Sequence, residues 1–255
     1  MKSERIHQYS GPEVISFEDA PKPEITPTQV LIQVYATSFN PLDSLLVRGI
    51  LKDRALLQFP FTLCSDVSGV IVKTGSEVNG FKEGDKVFGF LDYTKNGAAA
   101  EYVATEAAYL AYAPGSISLE EAAAIPLAAL TAWKGLFEHI NLQPGQRILI
   151  NNASGGVGNY AVQLAKWKGA YVIGTSGAEN LDMVRSLGAN EVIDYRKGIS
   201  AGLNNKVDAI FNLVAADQNY MNGLLDFIND RGTLVSSVVP ANPELSAQRQ
   251  IRSSA

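Results

Sequence analysis

Between Arg147 and Thr175 the hydrophobic pattern changes period twice. Arg147-Ile148-Leu149-Ile150 is a short apolar run after the turn pair Pro144-Gly145, and it predicts a buried strand. A polar, Gly-rich stretch follows, Asn151-Asn152-Ala153-Ser154-Gly155-Gly156-Val157-Gly158. Val157, Tyr160, Ala161, Leu164 and Ala165 then recur at helical spacing, and Gly169-Ala170 closes that pattern. Tyr171 to Thr175 predicts a second strand. Strand, Gly-rich turn, helix and strand in this order form a unit that cradles a dinucleotide pyrophosphate.

The same βα alternation continues downstream. Leu181, Val184 and Leu187 share a helical face, and Glu191 to Asp194 is a third strand. Val207 to Val214 is nearly all apolar, as a parallel strand buried on both faces should be. Asn219 to Ile228 predicts a helix, and Gly232 to Val239 a fifth strand. The expectation is therefore an α/β doubly wound parallel sheet with five strands.

Upstream the pattern is mostly β. Val30 to Thr37, Val67 to Lys73, Lys86 to Gly89 and Glu101 to Ala104 read as strands between turn residues, with one short helix at Pro41 to Val47. This spacing suggests a small barrel-like or partly open β domain. Ser118-Leu119-Glu120-Glu121 fits a capping box that opens a helix, interrupted at Pro126 and resumed over Leu127 to Phe137. Ser118 is the expected boundary, giving a β-rich domain over residues 1–117 and a nucleotide-binding domain over 118–255.

The chemistry of the turn explains its spacing. A pyrophosphate needs backbone N–H donors and the positive end of a helix dipole, and glycines stand where the backbone must come close. Of the G-x-G-x-x-G fingerprint, Gly155 and Gly158 are present and Ala153 replaces the first glycine. Ser154, Gly155, Gly156, Val157 and Gly158 are the candidate pyrophosphate contacts. After the second strand an NAD site usually carries an acid for the ribose 2′-OH. Here the chain reads Thr175-Ser176, and no acid appears before Glu179. Hydroxyls can hydrogen-bond a 2′-phosphate, which favours NADPH. The alternative, that Thr175 and Ser176 merely start a turn, stays open.

Composition narrows the function classes. The chain has 255 residues, a net charge of −5 and no long basic run, so nothing electrostatic supports a nucleic-acid partner. No apolar stretch is long enough to span a bilayer, and the N-terminus leads into polar residues. A single cysteine, Cys64, cannot make an internal disulfide; cytoplasmic residence is the simplest reading.

Five stretches in order carry a wider likeness: Asn40-Pro41-Leu42-Asp43, Ser65 to Ile71, Phe81 to Val87, Leu130-Thr131-Ala132-Trp133, and Ala153 to Gly158. With them the whole chain resembles the medium-chain dehydrogenase/reductase superfamily, in its zinc-independent quinone oxidoreductase branch. The resemblance implies a GroES-like catalytic domain with a Rossmann domain. It implies NADPH as hydride donor and a quinone or α,β-unsaturated carbonyl as acceptor. Asn40, Thr131, Gly156, Val157, Thr175, Ser176 and Tyr195 stand where the family contacts its cofactor, and Val214 and Val238 complete the candidate contacts.

This chain also departs from the family pattern. Asn180 stands where a lysine usually pairs with the 2′-phosphate, with Arg185 and Arg196 as candidate replacements. Leu45 replaces a frequent tyrosine. The family continues past the fifth strand, through a sixth strand and a segment returning to the catalytic domain. The expectation is that this sequence stops short of both, leaving Thr233 to Val239 as an apolar edge, and that a complete chain would be a homodimer.

Zinc-dependent relatives place a cysteine where Asn40 stands and a His-Glu pair where Ser65-Asp66 stands; no metal is expected here. A conjugated acceptor can take hydride at its β-carbon without a Lewis acid. Asn40 is a candidate donor to a substrate or ribose oxygen, or else fixes the turn before Pro41. Asp43 is the second candidate catalytic residue, as backbone orienter or partner of Arg48 rather than as an acid. Tyr35 and Tyr93 read as core residues before proton donors. Competing activities on the same fold are an enoyl-thioester reductase and a zinc-free alcohol dehydrogenase. A non-catalytic NADPH-binding sensor is the third alternative.

Overall fold

The computed structural model describes residues 1–255 as two compact units, Met1–Leu127 and Ala128–Ala255. The first unit contains strands β1 (Lys2–Ile6), β2 (Ser16–Asp19) and β3 (Gln29–Ala36), helix α1 (Pro41–Val47), and β4 (Phe61–Thr62). It continues with β5 (Asp66–Thr74), β6 (Lys86–Phe90), β7 (Tyr102–Glu106), β8 (Leu110–Tyr112) and helix α2 (Leu119–Ala123). Five strands form an antiparallel sheet in the order β7-β3-β5-β6-β8, and β2-β1-β4 form a smaller antiparallel sheet. Val30, Ile32, Val67, Ile71, Val87 and Val103 make one core. Ile6, Leu46, Val47, Phe61 and Leu63 make another beneath α1.

The capping box at Ser118 forms as expected. Glu121 N–H donates to Ser118 Oγ and Ser118 N–H to the Glu121 carboxylate. The units divide ten residues later than Ser118, because α2 belongs to the first sheet. The Ser68 hydroxyl, on β5, donates to the Leu119 carbonyl at 2.5 Å, and Ala122 is fully buried. A helix start is visible in sequence; the sheet it packs on is not.

Helix α3 (Pro126–Trp133) spans the division and runs into a π-helical turn at Lys134–His139, so the helix expected to Phe137 changes geometry part-way. Gly135 lies against Phe211 so closely that a Cβ would sit 2.3 Å from the ring. The second unit then alternates: β9 (Arg147–Asn151), α4 (Gly156–Trp167), β10 (Tyr171–Ser176), α5 (Leu181–Ser186), β11 (Glu191–Asp194) and β12 (Val207–Asn212). It ends with α6 (Gln218–Leu224), β13 (Ile228–Ser236), α7 (Pro243–Gln248) and β14 (Arg252–Ser254). The sheet is all parallel, ordered β11-β10-β9-β12-β13-β14. On β9, Ile148 and Ile150 join the core under α4, while Leu149 joins the core on the opposite face.

Two expectations need correction. The sheet has six strands, and the sixth is present: Thr233, Leu234 and Val235 pair with Arg252, Ser253 and Ser254. The apolar edge expected at Thr233–Val239 is therefore covered, and β13 itself ends at Ser236. The helix expected over Asn219–Ile228 stops at Leu224, and Ile228 already belongs to β13. No helix is long and apolar enough to cross a membrane.

Candidate functional site

The Gly-rich turn sits at the carboxyl ends of the parallel strands, where ligands of open α/β sheets bind. Asn152 opens it with φ +64°, a left-handed conformation that asparagine tolerates. Ala153 is fully buried, and its N–H donates to the Thr175 carbonyl at 2.8 Å. Its methyl occupies the space beside Gly174, where a second Cβ would approach to 2.8 Å; this is why the first fingerprint position accommodates alanine. Gly158 cannot be replaced so easily, since a Cβ there would meet the Asn152 carbonyl oxygen at 2.2 Å. Gly156 faces open space: nothing lies within 4 Å of a Cβ built on it. It is the first residue of α4, so its N–H and the next two have no intrahelical acceptor and mark the positive pole of a 12-residue helix.

A chain of side chains locks this turn. The Thr175 hydroxyl donates to Asn151 Oδ1 at 2.5 Å and accepts from Asn152 N–H at 3.1 Å. Asn151 Nδ2 donates to Asn212 Oδ1 and to the Tyr220 hydroxyl. Asn212 Nδ2 donates to the Val214 carbonyl and to Ser236 Oγ, which accepts from Val238 N–H. The network runs across the ends of β10, β9, β12 and β13 through buried residues. Satisfied polar networks in a low-dielectric interior fix geometry strongly. Val214 and Val238 are thus tied to it through their backbones.

The expectation that Thr175 offers its hydroxyl to a 2′-phosphate is corrected here. Thr175 is 1% exposed, and its proton is committed to Asn151. Ser176, its neighbour, is also buried, and its Oγ has no hydrogen-bond partner. One strand further out, Tyr195 and Arg196 follow β11, and Arg196 forks onto the Glu179 carboxylate at 2.9 and 3.2 Å. Arg196 holds the Glu179 carboxyl below the usual range. Tyr195 is exposed, and Arg185 pairs with Asp182 instead. Thr131 lies half-buried on α3.

The catalytic candidates of the first unit form a separate cluster. Asn40 Nδ2 donates to Ser38 Oγ at 3.1 Å and to Asp66 Oδ2 at 3.0 Å, two acceptors that are hydrogen-bonded to each other. The arrangement matches the turn-fixing alternative, with Asn40 the N-cap of α1. Asp43 accepts from Asn40 N–H at 2.7 Å, is 1% exposed and makes no ion pair with Arg48. That is the backbone-orienting role, and its other oxygen, Oδ1, is buried without a hydrogen-bond partner. Asp66 accepts from the Ser38 hydroxyl, from Asn40 and from Leu127 N–H. Burial raises the pKa of both Asp43 and Asp66. Burial, with Asp43 second, pushes the Cys64 thiol up to about 12, leaving it inert. Tyr35 is exposed at 60%, so the expected core role fails there, while Tyr93 packs as expected.

Residue-level reading missed Asn151, Asn212, Ser236, Tyr220 and Asp66. The first three stand at or next to strand ends, and a polar residue closing each apolar run was the available signal. No three His, Cys, Asp or Glu side chains cluster so as to hold a metal.

Two family models match the chain: the alcohol dehydrogenase GroES-like domain over residues 26–115, and a family described as zinc-binding dehydrogenase over residues 156–254. A chloroplastic quinone-oxidoreductase homolog of Spinacia oleracea is 40% identical over 207 residues, covering 78% of this chain and 63% of that protein. The chloroplastic NADPH-dependent alkenal/one oxidoreductase of Arabidopsis thaliana is 39% identical over 225 residues, 84% of this chain and 57% of that one. The structure of the quinone oxidoreductase from Coxiella burnetii superposes with a TM-score of 0.87 at 32% identity, covering 99% of this chain and 81% of that one. The chain belongs to the medium-chain dehydrogenase/reductase superfamily, with a GroES-like domain and a Rossmann domain. It spans somewhat less than two thirds of the curated relatives' length.

Proposed function

We propose that the second unit binds NADPH and that the whole protein uses it to reduce a quinone or an α,β-unsaturated carbonyl. The observation that carries this reading is the Gly-rich turn at Asn152–Gly158. It is open at Gly156, presents free N–H groups at the start of α4, and is held rigid by the Thr175–Asn151–Asn212–Ser236 network. Residues Ser154 to Gly158 would hold the pyrophosphate. Arg196, two residues beyond the register partner of Ser176, would meet a 2′-phosphate; the buried, unpartnered Ser176 hydroxyl would reach it only where binding uncovers it. The names of the Spinacia, Coxiella and Arabidopsis relatives support the acceptor class and the choice of NADPH. NADPH supplies the hydride. The protein's part is to orient it and to keep the turn from rearranging as it binds.

The test joins binding with turnover. Wild type should bind NADPH more tightly than NADH and oxidise it in the presence of a quinone or an enone. Gly156→Asp places a carboxylate at the helix N-terminus, where a phosphate would stand. Because the position is open, the variant should fold normally and lose roughly tenfold or more in NADPH affinity. Unchanged affinity in a folded variant would remove the site from this turn. NADPH consumption with an enoyl thioester, and none with quinones or enones, would reassign the acceptor.

A further inference from the structure

The edge where β10 and β11 end contains two groups that answer a nucleotide ribose in opposite ways. Gly177 to Glu179 follow β10, Tyr195 and Arg196 follow β11, and Ser176 is register-paired with Asp194. A carboxylate at such an edge accepts hydrogen bonds from a free ribose 2′-OH, while a guanidinium pairs with a 2′-phosphate. Here they neutralise each other: Arg196 contacts both Glu179 oxygens, at 2.9 and 3.2 Å. The Glu179 carboxylate folds back over Gly177, where a Cβ would lie 2.5 Å from Oε1. Both side chains are about half exposed, so the pair is loose and screened rather than locked in a core. The unpartnered Ser176 hydroxyl stands at the end of β10, in the same short stretch as Gly177 and Glu179.

We propose that the Glu179–Arg196 pair sets the cofactor preference of this protein, with Glu179 acting as an internal competitor for the guanidinium that a 2′-phosphate must recruit. Resting on the nucleotide reading above, this makes the selectivity for NADPH modest by construction. With a 2′-phosphate present, Arg196 exchanges one anion for another. With a plain ribose present, Glu179 is the acceptor for its hydroxyl. No charge is created or lost in either state, so one edge serves both nucleotides.

Equilibrium titration of the full chain with 2′,5′-ADP, 5′-AMP, NADPH and NADH reads this without turnover. Glu179→Gln keeps the shape and frees Arg196; 2′,5′-ADP and NADPH should bind about three- to fivefold more tightly, with 5′-AMP and NADH unchanged or weaker. Arg196→Gln should weaken 2′,5′-ADP and NADPH roughly tenfold or more and leave 5′-AMP within about twofold, inverting the preference. Both residues are at the surface, so the thermal transition of each variant should match wild type. If wild type binds NADPH and Gly156→Asp abolishes this, but Glu179→Gln leaves the NADPH-to-NADH ratio unmoved, the competitor role is wrong while the site stands. If wild type binds none of the four nucleotides, both readings fall.

Discussion

At the scale of single residues, the first unit concentrates its buried charge at Asp43 and Asp66. Each is 1% exposed and each has a pKa raised chiefly by burial. For an acid whose folded pKa lies above its unfolded value, the folded state holds the proton more tightly. The stabilisation is complete below the unfolded pKa and is lost as pH rises through the folded pKa. Wild type should therefore lose stability relative to Asp43→Asn as pH rises above the ordinary carboxylate pKa of about 4, read from urea midpoints at matched slopes. A difference that is flat, or that moves in favour of wild type as pH rises, would contradict the burial argument. Asp66→Asn should behave differently. Asp66 accepts three hydrogen bonds, and an amide presents two protons where only acceptors are wanted. That variant should be destabilised by about 1–3 kcal/mol at all pH values. Sequence alone could identify Asn40 and Asp43 as a pair, since three residues separate an N-cap from its reciprocal partner. It could not show that Asp66, on another element, accepts a hydrogen bond from Asn40. The same limit applies to Thr175, whose residue type suits a phosphate but whose position under the turn commits it to Asn151.

At the scale of elements, the βα alternation was legible because period and length change together: apolar runs of four to eight residues, then helical spacing. β14 was not. Arg252-Ser253-Ser254 has no apolar run and no alternation, and as an edge strand it needs only backbone groups to pair with β13. Its side chains nevertheless anchor it. Arg252 donates to the Ile140 carbonyl and to Thr233 Oγ1, and Ala241 N–H donates to Ser253 Oγ. Ser253→Pro removes a backbone donor and the Ser253 hydroxyl together. It should uncover β13, cost about 2–3 kcal/mol, and bring concentration-dependent association, measurable by light scattering. A monodisperse variant of wild-type stability would show that β14 contributes little to the edge. Helix α6 illustrates the converse error. Its expected C-terminal turn, ending at Ile228, gave way because Ile228 is fully buried at the start of β13, and tertiary burial overrides a local helical pattern.

At the scale of the whole molecule, the two family models fall on either side of the same division that compactness gives. The fold class was legible from pattern alone. The position of the division was not, since it depends on which sheet α2 chooses. Each unit contains two cores of its own, so each has the means to unfold as its own cooperative block. The chain provides a reporter for one of them. Both tryptophans, Trp133 and Trp167, lie in the second unit, clustered with Phe137 at centroid separations of 4.6 to 6.5 Å. Tryptophan emission therefore follows that unit, while tyrosines such as Tyr9, Tyr93, Tyr102 and Tyr112 populate the first. A ligand that binds the native second unit at about 100 times its Kd should stabilise it by about 2.7 kcal/mol. NADPH should shift the tryptophan-detected urea transition by that amount. Hydrogen exchange should slow in β9, β10 and β12, with a smaller change in β3 and β5. Equal slowing in both sheets would show that the units unfold as one block. No slowing in β9, β10 and β12 at saturating NADPH would place the nucleotide somewhere other than the carboxyl ends of this sheet.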